Sequence, residues 1–205
     1  PELSNNQNIL PKEIISFIKR RSPIISSYAY TLKDDTPDLN EMGTTDLYGV
    51  SLLLDLCINM KKSFPQIGII LSVANLNDEG FLKKIKTKIN KNNIRNNFFI
   101  YGKPVENIHN LWSNSDVYVR PTLSDGDSIA LREALSLKTP SVASDATPRP
   151  EGTIIFQNQN LNDFSEKVKG VLENSDHYKI KLNNIKYENN FKKLLNIYEY
   201  SYKDV

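Results

Sequence analysis

Two carboxylates, Asp125 and Glu133, are the side chains with the clearest potential for chemistry, and they stand eight residues apart. The segment 115–119, which ends in Val-Tyr-Val, is typical of a short buried strand, and the apolar residues of 129–137 recur at helical spacing. The polar turn between them ends at Ser128, a residue type that caps helix N-termini. The unpaired amides after the cap and the helix dipole favour a bound anion at this point.

Because carboxylates repel phosphate, this pattern predicts that the amides and the carboxylates bind different parts of a ligand. The helix-terminal amides would hold a phosphate group, and the carboxylates would face uncharged hydroxyls. A sugar nucleotide, with its diphosphate between two hydroxyl-rich rings, has this combination of groups. In the alternative interpretation, Asp125 and Asp127 only shape a turn and Glu133 lies on the helix surface. Spacing by itself leaves both interpretations open.

The longer block around these residues resembles the retaining GT-B glycosyltransferases of family 4, also called group 1. Their signature includes two acidic residues separated by seven positions; here Asp125 replaces the first glutamate and Glu133 keeps the second. The resemblance covers about residues 23–202 and implies the C-terminal half of a GT-B fold: α/β, with a Rossmann-like parallel sheet and helices on both faces. The segments that carry it are SDVYVRPT (115–122), DGDS (125–128), REAL (132–135) and TPSVASD (139–145).

This resemblance implies roles for individual residues. Glu133 would bind the ribose hydroxyls, and Asp125 would face the donor sugar as a catalytic residue. No metal and no cofactor is implied; the donor would be a nucleotide-diphosphate sugar, with UDP or GDP as the expected nucleotide. Further donor contacts are expected at the turn and helix start, and after the strand that ends at residue 101: Gly126, Asp127, Ser128, Ile129, Ala130, Gly102 and Lys103.

The sequence departs from the family's pattern at the cations that usually meet the donor diphosphate. The Gly-Arg loop after the first strand is absent, and Tyr48 occupies the place of the usual lysine. Because a planar guanidinium suits a diphosphate, we expect Arg120, at a strand end directly before the loop, to substitute as a catalytic residue. Arg149 is the second candidate. The alternative for Arg120 is a structural salt bridge to Asp125 or Asp127.

Composition sets broader limits on the class of protein. The 205 residues include 26 basic and 24 acidic side chains, a net charge of +2 that does not require a nucleic-acid partner. No apolar run approaches the roughly 18 residues of a transmembrane segment. The single cysteine, Cys57, excludes an internal disulfide, fits a reducing compartment and falls on the apolar face of a predicted helix. We therefore expect a cytoplasmic protein, with peripheral contact at the inner face of a membrane left open.

Strands alternate with helices along the chain, which predicts an open parallel sheet with its ligand site beyond the carboxyl ends of the strands. The predicted units are a linker and short helix (1–22), a nucleotide-sugar-binding domain (23–186) and a C-terminal crossover helix (187–205). His109 is interpreted as a surface histidine, as is His177 in a polar stretch before the last helix. Strands are expected near 23–30, 66–73, 97–101, 115–119, 141–144 and 153–156, and helices near 11–21, 47–64, 77–90, 106–114, 129–137, 161–172 and 187–202. A long polar loop (31–46) is either functional or a surface excursion.

The leading functional hypothesis is the donor-binding domain of a glycosyltransferase. Such an enzyme would move a sugar from its nucleotide to an acceptor hydroxyl with retention, in surface polysaccharide or glycolipid biosynthesis. A saccharide or lipid-linked acceptor would bind through an N-terminal domain missing from this sequence, so we expect binding without turnover. One alternative is a non-catalytic nucleotide-sugar-binding or scaffold domain, which the lost arginine and lysine favour. The other is a GT-B-fold sugar-nucleotide epimerase.

Overall fold

A computed structural model of the chain describes residues 10–32, 46–76, 78–185 and 195. Within these ranges the strands are β1 (Ile24–Thr31), β2 (Gly68–Asn75), β3 (Phe98–Tyr101), β4 (Val117–Arg120), β5 (Ser141–Ser144) and β6 (Ile154–Phe156). The helices are α1 (Lys12–Ile18), α2 (Val50–Ser63), α3 (Glu79–Lys91), α4 (Ile108–Ser113), α5 (Ile129–Ser136), α6 (Leu161–Glu173) and α7 (Ser175–Asn183). The predicted linker, most of the polar loop at 31–46 and, apart from Leu195, the predicted helix at 187–202 lie outside the described residues.

All six predicted strands are confirmed, as are the helices predicted within the described residues. Helix α2 begins at Val50, three residues later than predicted, because Gly49 before it adopts a left-handed conformation with φ +65°. Helix α7 was missed. Only Leu182 of this helix is buried, so its sequence has little of the apolar periodicity by which a helix is predicted.

The six strands form one parallel sheet in the order β3-β2-β1-β4-β5-β6. The chain builds outward from β1 through β2 to β3, returns to place β4 on the other side of β1, and continues to β6. The direction of building therefore reverses between β1 and β4. In open sheets of this kind, ligands bind in the crevice beyond the carboxyl ends of the strands at this reversal.

Helices cover both faces of the sheet, as predicted. Apolar side chains of α2, α3 and α6 form one core cluster with Ile69 and Leu71 of β2, whereas Ile70 between them belongs to a cluster on the opposite face with α1 and α4. Cys57 is fully buried in the first cluster, and burial raises the pKa of its thiol to about 12. No helix within the described residues is long and apolar enough to cross a bilayer.

Gly49, the residue before helix α2, packs against the loop that follows β4. Its φ of +65° strains residues with a side chain, and a Cβ at this position would collide with the carbonyl oxygen of Pro121. The backbone amide of Leu123 donates a hydrogen bond to Leu47 O at 3.0 Å. The segment before α2 and the loop after β4 are therefore packed backbone to backbone, which requires glycine at position 49.

We expect Gly49→Ala to lower the free energy of unfolding by at least about 2 kcal/mol, since both the conformation and the close approach penalise a Cβ. Gly170→Ala is the matched control, because Gly170 lies within α6 and a Cβ there would meet no atom within 4 Å. That change should stabilise the protein by about 0.5–1 kcal/mol. Urea unfolding measures both effects. Equal effects of the two substitutions would contradict the argument.

Candidate active site

A crevice lies at the carboxyl edge of the sheet where its building direction reverses. Its cavity of about 310 Å³ falls within the size range of ligand pockets. A larger groove, of about 780 Å³, lies between α2 and α3, but no strand end contributes to its lining. We therefore place the candidate site in the smaller cavity, whose lining includes Tyr28, Ser72, Trp112, Ile129, Ala130 and Glu133.

The start of helix α5 forms one wall of this crevice. Ser128 is its N-cap, as predicted, and its hydroxyl accepts a hydrogen bond from the amide of Leu131 at 3.3 Å. Ile129 is 71% exposed although it is apolar. The amides of Ile129 and Ala130, the first two of the helix, have no carbonyl acceptor one turn earlier in the helix, so they are available to an anion in the crevice.

Beside this cavity, Asp125 lies between two arginines. Arg120 donates from Nε and Nη2 to the two carboxylate oxygens at 2.8 and 2.9 Å, and Arg149 donates from Nη1 at 2.8 Å. The exposed fractions of the side chains are 11% for Arg120, 10% for Asp125 and 1% for Arg149. The salt bridge that was the alternative for Arg120 is therefore present in the structure, and both candidate cations meet at one carboxylate.

Arg149 uses its remaining donors to fasten two loops together. Its Nε donates to Ser144 O at 2.8 Å, and its Nη2 donates to Ser144 Oγ at 3.1 Å and Thr122 Oγ1 at 3.2 Å. Ser144 ends β5, whereas Thr122 follows β4. With its side chain almost fully buried, Arg149 thus connects the ends of neighbouring strands to Asp125.

The charges of this cluster do not cancel. Burial alone would raise the pKa of Asp125, but hydrogen bonds from Arg120 and Arg149 outweigh burial and lower the pKa below its ordinary value. Burial disfavours the charged form of Arg120, and hydrogen bonding to Asp125 more than compensates, so the pKa of Arg120 is raised. Two cations and one anion leave one net positive charge near the start of α5.

Tyr48, at the position where the resemblance leads one to expect lysine, packs against Arg120. The guanidinium carbon lies 5.7 Å from the centre of the Tyr48 ring, a cation–π distance. Nη1 of Arg120 also donates to Tyr28 O at 3.4 Å. Arg120 is therefore fixed by Tyr48, by the backbone of β1 and by Asp125. Its guanidinium, from the end of β4, supplies a positive charge next to Tyr48, where the resemblance leads one to expect a lysine.

Glu133 lines the cavity from the second turn of α5. Its Oε1 lies 3.3 Å from Nε2 of His109 on α4. His109 is exposed, as the interpretation of it as a surface histidine expected, but its contact with a residue that lines the cavity was not foreseen. No sequence motif links the two residues, and only the packing of α4 against α5 brings them together.

The other predicted contacts lie around this centre. Gly102 follows β3, and a Cβ there would lie 2.7 Å from Leu76 Cδ2, so the chain passes closely over the end of β2. Pro104 and Val105, next to Lys103, line the cavity. Gly126 lies in open surroundings, where an added Cβ would meet no atom within 4 Å.

Asp127 pairs with Arg132 at 2.7 Å on the exposed side of the turn. Across the described ranges, no group of three or more His, Cys, Asp or Glu side chains could hold a metal ion.

A sequence model of the family "glycosyl transferases group 1" matches residues 45–192, and the chain belongs to this family. No curated protein sequence matches the chain. Among solved structures, it superposes on the C-terminal domain of a glycosyl transferase group 1 family protein, LpcC from Francisella tularensis, with a TM-score of 0.66 at 13% identity. The match covers 88% of this chain and 89% of that domain.

Two longer relatives were solved with ligands. HepE from Anabaena, in complex with UDP and glucose, matches with a TM-score of 0.66 at 13% identity over 85% of this chain and 46% of its own. A TarM variant from S. aureus, in complex with fondaparinux, alpha-GlcNAc-glycerol and UDP, matches with a TM-score of 0.62 at 17% identity over 78% of this chain. The chain spans less than half of HepE and 31% of TarM. These likenesses confirm the predicted Rossmann-like α/β fold, that of GT-B glycosyltransferases.

We expect Asp125→Asn to lower the free energy of unfolding at pH 7 by about 3 kcal/mol, because two buried guanidiniums lose their anion. The folded-state pKa of Asp125 is lowered, so its stabilisation is present above the unfolded pKa near 4 and is lost as pH falls through the folded pKa. The difference in free energy of unfolding between the unaltered protein and Asp125→Asn, measured by urea unfolding, should therefore become smaller below about pH 4.

Asp127→Asn is the matched control, because that carboxylate is 64% exposed and pairs with Arg132 at the surface. Its effect should stay below about 1 kcal/mol at every pH. A loss as small for Asp125→Asn would show that the buried cluster does not support the fold.

Proposed function

We propose that the crevice binds a nucleotide-diphosphate sugar and that the chain is the donor-binding domain of a retaining, family 4 glycosyltransferase. The reaction would transfer the sugar to an acceptor hydroxyl in surface polysaccharide or glycolipid biosynthesis. The observation that carries this proposal is the arrangement of the crevice. A net positive cluster and a helix N-terminus lie beside a cavity that is lined by a carboxylate, Glu133.

The diphosphate would bind at the positive end of the crevice. Arg120 would contact it directly, and the amides of Ile129 and Ala130 would donate hydrogen bonds to the remaining phosphate oxygens. Arg149 lies behind Asp125 and would act on the diphosphate through its charge. As the sugar leaves, negative charge grows on the diphosphate, and fixed positive groups stabilise that change most effectively.

The nucleoside and the sugar would lie on either side of the diphosphate. Glu133 would accept hydrogen bonds from the ribose hydroxyls, with the base against the apolar side chains of the cavity. Asp125 would face the donor sugar, since among the described residues Oδ1 accepts only from Arg120 Nη2, and a carboxylate oxygen has two acceptor sites. The structures of HepE and TarM in complex with UDP support UDP as the nucleotide of this chain, with GDP as the alternative.

The acceptor would bind to a further domain. The chain spans less than half the length of HepE and TarM, so a saccharide or lipid-linked acceptor would be held by residues outside it. We expect the chain by itself to bind the donor without transferring the sugar. Substantial transfer by residues 1–205 alone would refute this expectation.

Thermal shift with UDP, GDP and ADP, each with and without its sugar, tests the proposal. A ligand at a hundredfold its dissociation constant should stabilise the fold by about 2.7 kcal/mol. We expect one of the nucleotides to raise the melting temperature of the unaltered chain, and we expect this increase to be lost in Glu133→Ala. Glu173→Ala, an exposed glutamate on α6, is the control and should keep the shift. No shift with any nucleotide, or a shift that persists in Glu133→Ala, would contradict the proposed site.

Arg120→Gln should weaken UDP binding about tenfold or more and leave uridine binding nearly unchanged, because charge-assisted hydrogen bonds to the diphosphate are lost. Calorimetry with both ligands measures the difference. Arg132→Gln is the control, since Arg132 pairs with Asp127 at the surface. Equal loss of UDP and uridine affinity in Arg120→Gln would indicate a collapsed loop rather than a lost phosphate contact.

A non-catalytic nucleotide-sugar-binding domain is the second candidate. The observation that favours it is that Arg120 is already paired with Asp125, and Tyr48 supplies no charge. Product formation from a labelled donor, by a form of the protein that carries the acceptor domain, separates the two. Donor binding without any product would favour the second candidate.

A further inference from the structure

His109 contacts Glu133, a residue that lines the candidate site, and the proposed function gives it no role. Its imidazole meets the ring of Trp112 edge-on, with 5.3 Å between ring centres and an interplanar angle of 77°. Trp112 is 1% exposed and packs edge-on against the buried ring of Tyr118, at 5.6 Å. A side chain of the core therefore orients this imidazole, although half of it remains accessible to solvent.

The imidazole lies beside the carboxylate of Glu133. Nε2 of His109 lies 3.3 Å from Oε1 of Glu133, which is within salt-bridge distance and slightly longer than the usual N–H···O hydrogen bond. Within the part of the chain that the structure describes, His109 is the one basic side chain within salt-bridge distance of Glu133. Arg132, the neighbouring cation on α5, is paired with Asp127 instead.

We infer that His109 is a positioning residue, which holds Glu133 in the orientation that ribose recognition needs. This inference rests on the proposed function. A carboxylate offers about four acceptor sites, so one hydrogen bond from His109 leaves Glu133 able to accept from two vicinal hydroxyls. Glu133 is 37% exposed and has several rotamers, and a fixed partner removes the entropic cost of selecting one when the nucleotide binds.

The test is calorimetric titration of the chain with UDP and with 2′-deoxy-UDP. His109→Leu should weaken UDP about fivefold, the effect of one hydrogen bond, and change the affinity for 2′-deoxy-UDP much less. The preference for the ribonucleotide should fall accordingly. His109→Gln keeps an N–H donor and should restore most of that preference. Fluorescence of Trp112, the single tryptophan of the sequence, gives a second measure of binding.

His177→Leu is the matched control. His177 lies on α7 and packs edge-on against Tyr178, at 5.7 Å, in the same way as His109 against Trp112. Its substitution should leave both affinities unchanged. Urea unfolding of each variant establishes that the protein measured is folded.

The outcomes distinguish this inference from the proposed function. If Glu133→Ala loses UDP while His109→Leu keeps both the affinity and the ribose preference, the positioning role is overturned and the proposed function stands. If His109→Leu weakens both ligands equally and His109→Gln restores neither, His109 acts only through packing, which also overturns the inference. If UDP, GDP and ADP all fail to bind the unaltered chain, the proposed function fails, and the role of His109 fails with it.

Discussion

The carboxylate of Asp125, held between the guanidiniums of Arg120 and Arg149, is the interaction on which the carboxyl edge of the sheet depends. Three charges in a largely buried place are costly to desolvate, and the cost is offset only when every charge has a partner. Arg149 meets this condition by bonding to the ends of two strands as well as to Asp125. Because the loop after β4 is fixed in this way, the start of α5 has a defined place above the sheet.

This constraint also shapes the electrostatics of the crevice. One end is positive, because two cations share one anion and the amides of α5 begin beside them. The other end carries the carboxylate of Glu133, which lies eight residues along the chain from Asp125, in the second turn of α5. A ligand with charged and hydroxyl-rich parts matches this polarity, whereas a uniformly anionic ligand would be repelled at one end.

The fold and the site give different kinds of information. At 13–17% identity, LpcC, HepE and TarM share the arrangement of strands and helices with this chain. Packing periodicity and parallel pairing survive such divergence, because many apolar residues satisfy them. The positively charged residues of the site can vary less freely. In this chain the positive charge next to Tyr48 comes from Arg120 at the end of β4. The function therefore has to be argued from this local arrangement rather than from the fold.

The sequence by itself determined the order of the strands and of helices α1 to α6, the N-cap at Ser128 and the ordered block with Asp125 and Glu133 that marks the family. Each of these depends on local periodicity or on a motif. Only the tertiary structure decided that Arg120 and Arg149 meet at Asp125, and that His109 lies against Glu133. Helix α7 was also found only in the structure, because a helix with one buried residue has little apolar periodicity in its sequence. The physical reason is that ion pairs between distant residues depend on where packed strands and helices end, which spacing along the chain does not specify.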